Sequence, residues 1–93
     1  MLYIVTTKIL RAQIPEDRAA ELLAKEMAHA REFITQKKIL AAYRKVGGSG
    51  SFFIVEADSN EEVHRIFTSL PLAKYLEFDV APIVLHPLFG GPA

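Results

Sequence analysis

Cysteine is absent from the 93 residues, which excludes disulfides and thiolate metal sites. Charge of one sign is scarce too, because eleven basic residues balance eleven acidic ones and neither kind forms a run. A surface that neutralises many phosphates needs clustered Lys and Arg. Lys37-Lys38 and Arg44-Lys45 are the nearest approach, so nucleic acid is not an expected partner. The longest apolar stretches fall far short of a membrane span. Met1 leads directly into a strand-like run without a basic n-region, so no secretory leader is expected and a soluble cytoplasmic protein is. The three histidines have neither HxH nor HExxH spacing, and no metal is expected. No Ser-His-Asp order presents itself, which leaves covalent catalysis without support.

What the chain has in quantity is apolar surface: 51% of its residues are hydrophobic, slightly above the usual share. A single domain of this size buries only about 60–65% of its unfolded surface. Surplus apolar area on a short chain therefore points to self-association as part of the fold.

Leu2 to Leu10 is rich in β-branched and aromatic residues and reads as a strand. Pro15, Glu16 and Asp17 are helix-start signals, and a helix is expected from about Pro15 to Gln36. Ala19, Ala20, Leu23, Met27, Ala30 and Ile34 share one stripe of it, with Leu22 and Phe33 at the edge and Glu21, Lys25 and Glu32 opposite. Ile39 to Val46 reads as a second strand. Gly47-Gly48-Ser49-Gly50-Ser51 then makes a hairpin turn, its glycines supplying positive φ angles. Phe52 to Val55 is apolar throughout and expected to be central. Asp58 or Ser59 caps a second helix, with Glu62 at capping-box spacing from Ser59. That helix turns Val63, Ile66, Phe67 and Leu70 inward, and Pro71 stops it. Tyr75 to Leu85 alternates as the last strand, and the tail from Leu88 to Ala93 either frays or packs on a neighbour.

The order β-α-β-β-α-β is the ferredoxin-like arrangement, an α+β fold with two helices on one face of an antiparallel sheet. One domain over residues 1–93 is expected. The uncovered face of the sheet also carries apolar residues, and a second subunit's sheet is the economical cover.

Glu26 is the outlier of the first helix, set within the apolar stripe between the azimuths of Phe33 and Ala19. A carboxylate held against a sheet is partly desolvated, which raises its pKa and suits it to take up and return protons near neutrality. The alternative is a stripe-edge glutamate that snorkels outward or pairs with a cation. Arg44 shares a side of the second strand with Leu40, Ala42 and Val46. There it binds a substrate carboxylate in bidentate fashion, pairs with a buried acid such as Glu26, or makes a structural salt bridge. Tyr43 faces the other side, where it contacts a small-molecule substrate or merely packs. His86 ends the last strand, while His29 and His64 are expected in solvent. The glycine-rich turn joins two strands and lacks the following Lys-Ser/Thr, so it is not a phosphate loop.

Several segments together resemble the muconolactone Δ-isomerase family. They are the opening Met1-Leu2-Tyr3, the Glu26-bearing helix, Tyr43-Arg44 followed by Gly47, and the block from Ser59 to Pro87. Leu70-Pro71-Leu72, Tyr75 and His86-Pro87 are the most specific pieces. The resemblance implies a ferredoxin-like fold paired in a dimeric α+β barrel type of assembly, and then larger rings, commonly decamers. It implies a cofactor-free 1,3-proton shift that turns muconolactone into an oxoadipate enol-lactone, in the catabolism of aromatic compounds. It also implies a catalytic role for Glu26, whose helix position corresponds to a glutamate of the family's site. Arg44 matches in type the cation such a proton shift needs and is the expected anion contact, and Tyr43 and His86 are the expected substrate contacts. The chain departs from the family's pattern at Gly48-Ser49-Gly50, at Ile4 and at Lys37-Lys38, which bears on lactone specificity. Two further readings share the scaffold: a non-catalytic oligomer that binds a small molecule or scaffolds a partner, and an isomerase or cyclase of a different substrate.

Overall fold

Alternation at period two builds the sheet. In the computed structural model, which describes residues 1–48 and 50–93, strand β1 (Leu2–Ile9) buries Tyr3, Val5 and Thr7 on one side. Its neighbours are β3 (Ser51–Glu56) and β4 (Leu76–Ile83), while β2 (Ile39–Arg44) lies at the edge beyond β3. The sheet order is β2-β3-β1-β4 and every pair is antiparallel. Helix α1 (Ala19–Thr35) joins β1 to β2, and α2 (Asn60–Thr68) joins β3 to β4. This is the expected ferredoxin-like order, with β3 in the interior of the sheet as its apolar composition requires.

The core lies between the sheet and α2. Phe53 and Val80 sit opposite Val5 in register, and Val55 opposite Tyr3. Val63, Ile66, Phe67 and Leu70 close over them, all buried. Ser59 caps α2 by accepting the Glu62 N–H at 3.1 Å. The Glu62 carboxylate reaches back one residue further than expected, to the Asp58 N–H at 2.9 Å.

Helix α1 is turned differently from its apolar stripe. Leu22 is buried and Phe33 packs on the core, whereas Leu23, Met27 and Ile34 are 44%, 49% and 52% exposed. At about 100° per residue, the inward direction runs through Leu22, Glu26, His29 and Phe33, roughly a quarter-turn from the middle of the stripe. Apolar residues spread over more of this helix than one sheet can cover, so packing against the sheet leaves half of them outside. The opposite sheet face is apolar as well. It carries Ile4 beside Ile54 and Ala81, and Phe52 beside Tyr43, and no helix among the described residues covers it.

A bulge between Ile39 and Ala41 changes the phase of β2. Ala42 and Arg44 therefore share the helix side with Ile39, and Leu40 is 52% exposed. Val46 is beyond the strand and fully exposed. These two correct the set of residues expected beside Arg44. Of the glycine-rich turn, Ser49 lies outside the described residues. Gly47 has the positive φ of 74° that the turn needs, and the Lys45 N–H donates to the Gly50 carbonyl at 2.9 Å to close it. The tail forms a 3-10 turn over Pro87–Phe89, with Leu88 and Phe89 84% and 78% exposed.

The end of α1 stores strain at Lys37. The Lys38 N–H donates to Phe33 and the Lys37 N–H to Ile34, the paired bonds of a Schellman cap. Lys37 occupies the left-handed position of that cap, at φ 59°, where a side chain costs about 1–2 kcal/mol. Lys37→Gly relieves this strain, and the greater freedom of glycine in the unfolded chain takes back part of the gain. The net expectation is about 0.5–1 kcal/mol of added stability, a rise of a few degrees in Tm. A thermal melt of the two proteins at equal concentration checks it, and an unchanged or lower Tm counts against strain at this cap.

Candidate active site

Glu26 is placed by two elements at once. Its position on α1, four residues after Leu22 and seven before Phe33, aims it at the segment that follows α2. Pro71 prevents α2 from continuing, and the chain turns through Ala73–Tyr75 into β4. At that turn the Leu72 N–H is a donor without a helical partner, and it donates to Glu26 Oε1 at 3.0 Å. Leu72 is itself almost fully buried, so the carboxylate is drawn in against apolar walls. Desolvation raises the Glu26 pKa above the ordinary carboxylate value, partly offset by the Leu72 N–H and by the nearby His29. Its carboxyl is thus poised to hold a proton at higher pH than an exposed glutamate.

His29 does not stand in solvent as expected, because the rotation of α1 brings it to the inward side. It is half-buried, its ring edge-on to Phe33 at 5.3 Å. The Nε2 atom lies 3.3 Å from Ser69 Oγ, and that hydroxyl donates to the Ile66 carbonyl at 2.7 Å. A hydroxyl has one proton, so Nε2–H is the donor to Ser69. Glu26 and His29 therefore both grip the segment from Ser69 to Leu72. The Leu-Pro-Leu signature has a positional role here, since it presents the N–H that holds Glu26.

Arg44 lies elsewhere. At the end of β2 it is exposed and stands in one cross-strand row with Ser51 and Thr7. It lines a cleft of about 490 Å³ together with Thr7, Ile9, Arg11, Lys45 and Ser51. A smaller hollow of about 140 Å³ is lined by Ile9, Arg11, Leu23 and Leu72, among others. Glu26 and Arg44 form no ion pair among the described residues, and Glu26 lines neither space; the linings of the two have Ile9 and Arg11 in common. Tyr43 is on the opposite sheet face, stacked on Phe52 at 5.4 Å. His86 caps the tail turn, its Nδ1 accepting the Leu88 N–H at 3.0 Å. Neither lines these spaces, and packing and capping occupy them. His64 is exposed, as expected, and rests against the ring of Phe78. No cluster of three or more His, Asp or Glu suited to a metal occurs among the described residues.

The family model for muconolactone delta-isomerase matches residues 1–88. The chain belongs to the muconolactone Δ-isomerase family. The muconolactone Δ-isomerase of Cupriavidus pinatubonensis is 32% identical over 88 residues, covering 94% of this chain and 96% of its own. Muconolactone Δ-isomerase 1 of Acinetobacter lwoffii is 34% identical over 74 residues, covering 80% and 77%. A crystal structure of muconolactone isomerase superposes with a TM-score of 0.81 at 24% identity, over 94% of this chain and 92% of that one. A 5-chloro-2-hydroxyhydroquinone dehydrochlorinase from Burkholderia phenoliruptrix follows the same fold, with a TM-score of 0.67 at 23% identity. It covers 89% of this chain and 93% of that one.

In this member of the muconolactone Δ-isomerase family, sequence reasoning singles out Glu26 and Arg44 but not Arg11, which lines both spaces. Arg11 opens the connecting turn two residues past the end of β1 and carries no motif. It becomes visible only once the β2–β3 hairpin folds beside it. The Leu72 N–H is a backbone group, and its availability is legible only indirectly, from Pro71.

Proposed function

We propose that the protein is a cofactor-free isomerase of the muconolactone type, moving a proton within a small lactone acid. The observation that carries this reading is the partly desolvated Glu26 carboxylate, fixed by the N–H of Leu72, a residue that itself lines an apolar hollow. The saturated ring carbon of an unsaturated lactone, conjugated to the carbonyl through the ring double bond, gives up a proton to a base, and the electron pair spreads through the ring onto the carbonyl oxygen. The same carboxyl then returns the proton to the ring carbon two positions away, so one group serves as base and acid. Glu26 has that role in the proposed reaction. Its raised pKa lets the protonated form persist long enough to complete the return. Arg44 holds the substrate's carboxylate and supplies positive charge as the enolate develops.

The open apolar sheet face supports assembly: a second copy's sheet is the proposed cover, and larger rings extend from the exposed edge of α1 and from Leu88 and Phe89. Among the described residues no helix is long and apolar enough to cross a membrane, and the proposed site of action is the cytoplasm.

Incubation of the protein with muconolactone in deuterated water tests the function. Conversion to the enol-lactone is the expected result, with deuterium entering the ring to the extent that the proton held by Glu26 exchanges with solvent before its return. A folded protein that binds the lactone acid but neither converts nor exchanges it is a carrier, and the isomerase reading fails.

A further inference from the structure

The cleft at the end of the sheet has a charge pattern that the Glu26 chemistry alone does not require. Arg11, Arg44 and Lys45 all line it, and no carboxylate does among the described residues. None of the three is in an ion pair among the described residues. They are not equivalent. Lys45 also borders a separate hollow that contains Glu77 and Asp79, so part of its field is spent there. Arg11 and Arg44 border no acid in either space. Two guanidinium forks facing one open volume match a carboxylate, which accepts two parallel N–H bonds from each fork it meets.

The floor of the cleft is built to stay close to the backbone. Thr7 is buried, and its hydroxyl is engaged with the Ser51 carbonyl at 3.3 Å. A Cβ on Gly50 would stand 2.8 Å from the Thr7 carbonyl, so only glycine lets the hairpin lie against β1 and bring Arg44 towards Arg11. The turn that carries Arg11 is fixed as well. The Leu10 N–H donates to the Tyr75 carbonyl at 2.8 Å, which ties the Arg11 turn to the segment that bears Leu72. Arg11 lines both the cationic cleft and the hollow lined by Leu72.

We infer that Arg11 is a specificity-determining residue: with Arg44 it seats the carboxylate of a small lactone acid, and it directs the ring along Ile9 towards Leu72 and Glu26. The inference rests on the isomerase reading for the identity of the ring, and on the cleft alone for the carboxylate. Substrates of this class carry one carboxylate at one end and an enolisable ring at the other. Their neutral esters lose the seat and keep the ring.

Arg11→Met keeps an unbranched stem like that of arginine and removes the charged guanidinium. The test measures KM and kcat for muconolactone and for its methyl ester. Alongside, a saturated lactone acid that cannot isomerise is titrated into the protein and followed by amide NMR. Arg31→Met, an exposed cation of α1 outside both spaces, controls for the loss of one positive charge. For Arg11→Met the expected result is a KM for the acid about 10-fold or more higher, the range of a lost charged hydrogen bond. The value for kcat stays within about twofold, and the ester is indifferent to the change. Amide shifts on the saturated acid should centre on Thr7, Arg11, Arg44 and Gly50, and should weaken in the variant. Equal KM values in wild type and variant, or an ester bound as tightly as the acid, overturn the proposal. Binding of the saturated acid at the cleft without turnover of muconolactone upholds the seat and removes the isomerase reading. Turnover that ignores Arg11 does the reverse. A thermal melt confirms that the variant is folded.

Discussion

Replacing Glu26 by glutamine should lower turnover of muconolactone by about 10²–10⁴, the usual worth of a positioned acid–base group. Glutamine keeps the shape of the side chain and an oxygen that accepts the Leu72 N–H, so the hydrogen bond at 3.0 Å survives. What it loses is the ability to take a proton from carbon. Because the raised pKa comes first from desolvation, the ionised carboxylate is less favourable in the folded protein than in the unfolded chain. The sign of the stability effect follows. Below the unfolded pKa the carboxyl is neutral in both states and no penalty exists. The penalty develops as pH rises from the unfolded to the folded pKa and stays constant above it. Glu26→Gln is therefore at least as stable as wild type at neutral pH, and the advantage disappears in acid. In wild type, kcat/KM should fall as pH drops through a pKa above the ordinary glutamate value, and this limb should be missing from whatever activity the variant retains. Urea melts at two pH values and a pH–rate profile measure both halves. Loss of activity together with loss of stability at neutral pH would mean that Glu26 is a structural group.

The elements were legible in the sequence because each has a local signature. β1 and β4 alternate at period two, Ser59 and Glu62 have capping spacing, and Pro71 ends a helix wherever it falls. The facing of α1 was not legible, because apolar residues run most of the way around it. Leu22 and Leu23 are both leucine, and only the sheet decides that the first goes in. The bulge in β2 was hidden for a similar reason, since Ile39, Leu40 and Ala41 fit either phase. The site divides along the same line. Glu26 stood out as a charge among apolar neighbours, which is a local contrast. Arg11 and Arg44 are separated by the whole of α1 and most of β2, and only the closure of the hairpin against β1 gives them a common cleft. His29 depends on the facing of α1, so the apolar stripe alone leaves it in solvent.

Phe67 is where that folded arrangement is most exposed to a single change. It is almost completely buried, with Phe53 at 5.4 Å and Phe78 at 5.7 Å between ring centroids, so one ring links α2 to two strands of the sheet. Phe67→Ala should cost about 3–5 kcal/mol from lost transfer energy and the cavity left behind. The total stability expected of a domain this size is only about 5–15 kcal/mol. The variant should therefore be largely unfolded near physiological temperature, or folded only where assembly supplies the difference. Urea unfolding at several protein concentrations separates the two cases. The milder Phe67→Leu keeps the volume more nearly filled and should leave the protein folded. It bears on the site because Ser69 and Leu72 follow Phe67 directly, and α2 is what holds their segment at the right height over α1. A looser α2 lengthens the reach from the Leu72 N–H to Glu26 and lets water approach the carboxylate. Its pKa should then move back towards the ordinary value, and kcat should fall while KM, which the proposed arginine seat would govern, changes little. An unaltered kcat in a measurably destabilised Phe67→Leu protein would show that the core and the Glu26 clamp are energetically separate.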